Sequence, residues 1–372
     1  MSALLLGAVP PADHVGRRQR LRERVVALGL DALLVTRPVN VRWLCGFTGS
    51  NGQVLIAAAG ADEDRLITDA RYEERAATEA PGLTVELDRD PIAVCRRRHG
   101  GGYLGFEAEH LTWAQGQRFT EQLTENAGGA VAATTGEVEG LREVKDAHEV
   151  ALLERACEVT TSALAWLLDE HVVPGRTEQE LARLLEHRFV DLGAESPAFD
   201  SIVASGPNAA VPHHAPSDRP LQNGDVLTID CGARVGGYHA DCTRTVAIGH
   251  LAAPLDAVHD LVRRAQSAGR AAVEAGRASE DVDAAARAII TDAGYGERFV
   301  HGTGHGVGLE IHEAPAVARG ARATLCAGMT LTVEPGVYLP GSGGVRIEDT
   351  VVVTEDGPAR TLTEMTRELR IL

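Results

Sequence analysis

The sequence predicts an α+β protein of two domains, and three observations lead there. Its 372 residues exceed one ordinary core and suit two. The first third alternates amphipathic with apolar segments, the pattern of an α/β domain. From Glu137 onward helical periods segregate from β-branched runs joined by short Gly-rich turns, which marks an α+β domain. The expected domains are therefore 1–136 and 137–372.

Residues 15–28 are Arg-rich with apolar positions at helical spacing, and Gly29 supplies the stop. Residues 32–36 (ALLVT) read as a buried strand, 38–46 as a turn and second strand, and 53–59 and 65–68 as further strands. The Ala/Thr/Gly stretch 126–136 reads as a linker. Residues 138–171 carry few breakers and a helical period through Val144, Val150, Leu153, Ala156 and Val159, giving one long helix or two. Thr177 and Glu180 frame a capping box that opens a helix through Phe189. Two more helices are expected at 255–275 and 279–293, and strands at 226–230, 243–248, 330–334 and 345–354. No tandem repeat interrupts this order.

Composition excludes several classes. Apolar residues at 44% and charged residues at 24% are ordinary for a globular protein. A net charge of -17 argues against a nucleic-acid partner, which would need a basic stripe. Six cysteines (Cys45, Cys95, Cys157, Cys231, Cys242 and Cys326) show no CxxC or Cys/His zinc spacing, so reduced thiols are expected. The opening MSALLLGAVPP lacks a preceding basic region, with Arg17 and Arg18 following the apolar run instead, the wrong order for an export signal. No stretch is long enough to span a bilayer. A cytoplasmic protein without a nucleic-acid or membrane partner is the expectation.

Chemistry concentrates in the second half. Gly236 and Gly237 sit between two β-rich segments and signal a hairpin. A turn centred between Val235 and Gly236 pairs residues whose numbers add to 471, setting Asp230 directly opposite Asp241. Directly opposed residues share a face with Cβ atoms roughly 5 Å apart. Carboxylates that close repel unless a proton or cation lies between them. A solvated pair at a sheet edge is the alternative, and the apolar flanks Ile229, Cys231, Ala240 and Cys242 disfavour it. Glu334 and Glu348 are related in the same way about Gly341, although Pro335 and Gly336 interrupt the ladder directly after Glu334.

His301, His305 and His312 lie in HGTGHGVGLEIHE. Glycines at 302, 304, 306 and 308 exclude a helix and mark a backbone approached closely by a partner strand, a substrate or a metal shell. A lone histidine is more often a packed core residue, but three in one Gly-rich β segment favour a ligand. Four carboxylates and one imidazole carry a formal charge that two divalent cations balance. Hard oxygen donors with one nitrogen suit Mn²⁺, with Co²⁺, Zn²⁺ and Fe²⁺ as alternatives. Two such ions roughly 3.5–4 Å apart can share a water, lower its pKa and polarise a carbonyl, which is hydrolytic chemistry. Other site motifs fail: there is no GxGxxG, no phosphate-binding GKS or GKT, and no GxSxG to accompany HGGG at 99–102.

The segments LREVKDAHEVALL, SGPNAAVPHH, TIDCGARVGGYHADCTRT, HGTGHGVGLEIHE, TVEPGVY and VRIEDT together resemble the pita-bread metallopeptidases. That family includes methionine aminopeptidase, Xaa-Pro aminopeptidase, prolidase and creatinase. The resemblance runs from about Leu141 to the C-terminus, and VNVRWLCGFTGSNG resembles the creatinase/prolidase-type N-terminal domain. It implies a C-terminal pita-bread fold, a curved and mostly antiparallel sheet covered by helices, after a smaller α/β domain. By position it implies Asp230, Asp241, His305, Glu334 and Glu348 as metal ligands, with Asp241 and Glu348 bridging. Glu334 would also accept the proton of the attacking water. His213, or the adjacent His214, and His312 match imidazoles that stabilise the tetrahedral intermediate. His301 and Arg346 match positions lining the substrate pocket; an ion pair from Arg346 to Glu348 or Asp349 is the alternative. The implied activity is that of an Xaa-Pro aminopeptidase acting on proline-containing peptides, with prolidase as the alternative and a non-catalytic binding protein as a remoter one. Homodimerisation is the family habit.

Overall fold

The computed structural model describes residues 9–124, 128–251 and 253–372. It divides into two compact units, Ala12–Arg142 and Glu143–Leu372, the latter joined by residues 9–11.

The first unit is built from α1 (His14–Ala27), β1 (Ala32–Val35), α2 (Pro38–Cys45), β2 (Gly52–Ala57), β3 (Arg65–Thr68), α3 (Glu73–Glu79), β4 (Thr84–Leu87), α4 (Pro91–His99), β5 (Tyr103–Glu107), α5 (Trp113–Thr124), β6 (Ala130–Thr134) and α6 (Glu139–Arg142). Its six strands form one mixed sheet in the order β4-β3-β2-β1-β5-β6. β1 is central, antiparallel to β2 and parallel to β5, and all four of its residues are buried, as expected for the ALLVT run.

Two expectations need correction here. Residues 38–46 are the helix α2, not a turn and strand. Pro38 takes the first helical position, where its missing N–H costs nothing, and no side chain of the N-cap Arg37 caps the helix. A distant carboxylate does so instead: Glu107, at the end of β5, accepts from the Thr36 N–H at 2.5 Å, the Arg37 N–H at 2.7 Å and Asn40 Nδ2 at 2.6 Å. No local pattern announces a cap supplied across the sheet. Within the expected linker 126–136, Ala130–Thr134 is a strand parallel to β5, while 126–127 lie outside the described residues. The first compact unit runs on to Arg142. Arg24 donates to the Glu137 carbonyl, Asn40 to Glu139, and Arg142 to Asn40, tying 137–142 to the first unit.

The second unit begins with α7 (Ala147–Glu170) and α8 (Glu178–Asp191), the latter opened by the expected capping box at Thr177 and Glu180. There follow β7 (Ser196–Pro197), β8 (Ile202–Ser205), β9 (Val226–Cys231), β10 (Ala233–Val235), β11 (Tyr238–His239), β12 (Cys242–Ala247), α9 (Leu255–Ala271) and α10 (Ser279–Asp292). The chain closes with β13 (Gly304–Gly306), β14 (Glu313–Val317), β15 (Thr330–Val333), β16 (Gly336–Leu339), β17 (Gly343–Arg346), β18 (Asp349–Val352) and β19 (Arg360–Thr361). Its strand pairs are antiparallel, in sheets ordered β11-β10-β7, β12-β9-β8, β14-β13-β15-β18-β19 and β16-β17. Val258, Val262 and Ala265 of α9 pack with Ile290 of α10 against Val226, Val337 and Val345 of the strands. The expected strand 345–354 is thus two strands broken at Ile347 and Glu348, because the Glu348 N–H leaves the ladder for the Thr243 carbonyl at 3.1 Å.

Glu107→Ala should lower unfolding stability by about 2–3 kcal/mol, since it strands buried donors at the start of α2. Urea denaturation of the variant measures this, and an unchanged midpoint would show that α2 caps itself.

Candidate metal centre

The hairpin between β9 and β12 carries the first two candidate ligands, in a register two residues from the expected one. Cys231 pairs with Cys242, and Asp230 with Thr243 and with Ile202 on the other side. Paired numbers add to 473 because the turn is Gly236-Gly237 itself, with φ of 57° and 84°. A two-residue hairpin loop of this hand needs positive φ at both positions, which the two glycines alone satisfy here. Asp230 therefore does not face Asp241 directly. A slip of two preserves side-chain parity, so Asp241 still shares a face with Asp230, one step along the diagonal.

Glu334 and Glu348 sit at matching breaks in two strands. Val333 pairs with Asp349 and Gly336 with Arg346, a constant register that spans both breaks and sets the two glutamates opposite each other. At each break the backbone turns to another segment: the Glu334 N–H donates to Thr303 O at 2.7 Å, just before β13, and the Glu348 N–H to Thr243 O of β12. The Thr243 hydroxyl completes the connection by donating to Glu348 Oε2 at 2.7 Å. The Glu348 carboxylate is thereby aimed at the β9–β12 hairpin.

His305 arrives on β13, squeezed between β14 and β15. At Gly304 a Cβ would lie 2.0 Å from the Thr332 carbonyl oxygen, so the alternate glycines serve the close approach of partner strands. His305 Nδ1 lies 3.0 Å from the Gly306 carbonyl, which can only accept, so Nδ1 carries the proton. The lone pair on Nε2 then faces Asp241 Oδ2 at 3.5 Å and Glu334 Oε1 at 3.4 Å. Burial pushes this imidazole down to about 4, keeping it neutral.

Acceptors facing acceptors without a donor between them is the signature of a cation site. Ligand atoms of Asp241, His305 and Glu348 lie within 4.8 Å of one another. Asp230 Oδ1 is buried and has no hydrogen-bond partner. Burial, reinforced by neighbouring carboxylates, pushes Asp241 and Glu348 far above the ordinary carboxylate range. Glu334 is raised to about 8, by burial and the charge of Asp230 against the opposing pull of Arg346. A divalent metal in the cluster would supply the missing positive charge, and the oxygen-rich donor set fits one. Asp230, Asp241, His305, Glu334 and Glu348 would hold it.

Two arginines brace the cluster. Arg346 is buried and pairs with Asp230 at 2.7 Å, neither with Glu348 nor with Asp349. Its other bonds reach Tyr338 Oη at 2.8 Å, Thr243 Oγ1 at 3.2 Å and the Pro212 carbonyl at 3.3 Å. Tyr338 in turn contacts His301 Nε2 at 2.9 Å, while His301 Nδ1 meets the Gly302 carbonyl at 2.7 Å. Because that carbonyl accepts, Tyr338 donates to a neutral His301, whose imidazole burial lowers to about 4. Behind the strands, Arg244 donates to the carbonyls of Thr243, Glu348 and Met365 and pairs with the fully buried Asp349 at 2.9 Å. Lys145, the single lysine of the chain, is buried and pairs with Glu313, next to His312, at 2.7 Å. Tyr338 escaped attention in the sequence although it stood inside TVEPGVY; an aromatic in a strand reads as core until its hydroxyl partners are known.

The cluster lies on a cavity of about 750 Å³. His301 and Arg346 line it, as do His213, His214 and His312. The His312 ring stands edge-on to His305 with centroids 4.3 Å apart. His213 is exposed, whereas His214 Nε2 is tied to Glu178 at 2.8 Å.

Residues 151–355 match the pattern of metallopeptidase family M24. The chain belongs to this family. Residues 17–144 match the creatinase/prolidase N-terminal domain, so the metallopeptidase has the two-domain creatinase and pita-bread architecture expected from its motifs. It is 42% identical to a probable dipeptidase PepE of Mycobacterium tuberculosis, over 93% of this chain and 94% of that one. Among solved structures it is similar to an Xaa-Pro dipeptidase from Bacillus anthracis, with TM-score 0.91 and 37% identity over 97% of this chain and 100% of the other. It is also similar to an X-Pro aminopeptidase from Thermotoga maritima, with TM-score 0.84 and 34% identity over 95% and 99%.

The raised carboxylates set a pH dependence. A carboxyl whose folded pKa is raised stabilises the fold below its unfolded value and loses that contribution as pH rises through the folded value. For Glu334 the window runs from 4.5 to about 8. Metal-free protein should therefore lose stability relative to its Glu334→Gln variant as pH climbs from 5 to 8. Added Mn²⁺ should raise the unfolding temperature most at the upper end. Scanning calorimetry of both proteins across this range checks it, and parallel curves would count against a buried Glu334 without a counter-ion.

Proposed function

We propose that this metallopeptidase is an Xaa-Pro dipeptidase, hydrolysing the bond between an N-terminal residue and proline with two divalent cations. One observation carries the reading: Asp230, Asp241, His305, Glu334 and Glu348 converge with their acceptor atoms facing one another at the floor of a substrate-sized cavity. The motifs by themselves rank Xaa-Pro aminopeptidase first and prolidase second. Relatives of nearly equal length bearing dipeptidase names favour the reverse order. Aminopeptidase activity stays as the second reading, supported by the Thermotoga maritima structure.

When bound, the cations supply an activated water and polarise the scissile carbonyl. Glu334 is the proton acceptor for that water, steadied by the Thr332 hydroxyl, which donates to its Oε1 at 3.3 Å. His213 and His312, both on the cavity wall, stabilise the carbonyl oxygen as it gains negative charge. His301, joined through Tyr338 to Arg346, shapes the wall beside them. Mn²⁺ is the metal proposed, with Co²⁺, Zn²⁺ and Fe²⁺ as alternatives. A cytoplasmic homodimer is the proposed state, which light scattering tests for mass. No helix among the described residues is long and apolar enough to cross a membrane.

Comparing turnover of an Xaa-Pro dipeptide with an Xaa-Pro-Yaa tripeptide tests the assignment: rapid cleavage of the dipeptide alone is expected, and preference for the tripeptide would reverse the order of the two readings. Chelation should abolish activity and Mn²⁺ should restore it. Asp241→Ala should eliminate turnover while unfolding stays cooperative; substantial residual activity would mean that the centre lies elsewhere.

A further inference from the structure

An Xaa-Pro dipeptide brings a free carboxylate into the cavity, so the dipeptidase reading requires a receptor for it, and the inference drawn here rests on that reading. Among the described residues lining the cavity, the groups able to carry positive charge are Arg346 and five histidines. Arg346 is already committed: four of its five N–H groups have partners, and its charge lies against Asp230. His301 has both ring nitrogens engaged. His305 points at the carboxylate cluster, and His312 stands against His305. There remains the 211–216 loop, with its exposed His213 and with His214.

His214 differs from the other four in having a carboxylate partner outside the metal cluster. Its Nε2 lies 2.8 Å from Oε2 of Glu178, whose side chain is 0% exposed. Glu178 is the first residue of α8, where the helix end favours negative charge. Its Oε1 accepts from the amide and hydroxyl of Ser205, and its Oε2 from the amide and hydroxyl of Ser217. Burial alone would raise this carboxyl, but the hydrogen bonds from Ser217, Ser205 and His214 more than offset it and hold Glu178 at about 2. The charge is permanent yet out of a substrate's reach. Only the imidazole, with 16% of its side chain exposed, carries its influence to the cavity. With Nε2–H given to Glu178, Nδ1 is the ring nitrogen left to a ligand, and a proton shared there with a substrate carboxylate would have its counter-charge buried behind it. Glu186 and Asp200, the other acidic groups on the cavity wall, repel an anion and leave the histidine loop as its place.

We propose that His214, backed by Glu178, is a specificity residue that receives the C-terminal carboxylate of the dipeptide and thereby selects dipeptides over longer peptides. Motif comparison treats His214 only as an alternative to its neighbour; the hydrogen bond to Glu178 gives it a separate task.

The test compares kcat/KM for an Xaa-Pro dipeptide and for its C-terminal amide in the wild type and in His214→Gln. Glutamine keeps an N–H for Glu178 but carries no charge. The dipeptide-to-amide ratio should fall about ten-fold or more, chiefly through KM, as expected for losing a charge-assisted hydrogen bond. Calorimetry on the Mn²⁺-loaded protein should show weaker binding of proline with little change for prolinamide. His214→Phe provides the same comparison without the tether to Glu178. An unmoved ratio in both variants, or equal losses for dipeptide and amide, overturns the receptor while leaving the dipeptidase reading intact. A wild type that cleaves tripeptides and no dipeptide overturns both.

Discussion

Mutual repulsion among buried carboxylates is the constraint around which the catalytic unit is organised. Asp241 and Glu348 are almost fully buried, and Asp230 and Glu334 lie beside them, so without a cation the group is held together only by keeping protons on carboxyls that would ordinarily ionise. Left to local preference, strands would rotate such side chains toward water. The structure prevents this with backbone anchors. Arg244, held by Asp349, grips carbonyls on either side of the site, and the breaks at Glu334 and Glu348 each bond to another segment. The cost of holding unlike-tolerating charges together is thus met by the sheet, and a cation returns it as affinity.

The candidate ligands show what a sequence can disclose. A strand has a side-chain period of two, so an error of two residues in the hairpin register left Asp230 and Asp241 on one face; an error of one would have separated them. The Glu334–Glu348 relation survived an interrupted ladder because the two strand pairs on either side of the break keep one register. His305 could be chosen among three histidines only by family resemblance. What distinguishes it physically from His301 is what its Nε2 faces: Asp241 and Glu334 rather than the Tyr338 hydroxyl.

Elements that were misread share a cause. The helix α2 is capped by Glu107 from another strand and β6 is a strand because it lies along β5; the ion pair of Arg346, which lines the cavity, likewise goes to the distant Asp230. Each depends on a partner between about 25 and 120 residues away, beyond any local period or motif. Legibility was high where periodicity and capping boxes govern, as in α7 and α8, and low where a single distant side chain decides.

The buried pair of Lys145 and Glu313 has a consequence for handling the molecule. Since Lys145 is the only lysine, every other long cationic side chain is a guanidinium, and no side-chain amine is offered to solvent by the folded chain. Acylating or crosslinking reagents that seek such amines find none until the strand carrying Glu313 lets go. Modification of Lys145 would then serve as a chemical clock for the opening of the segment that also carries His312.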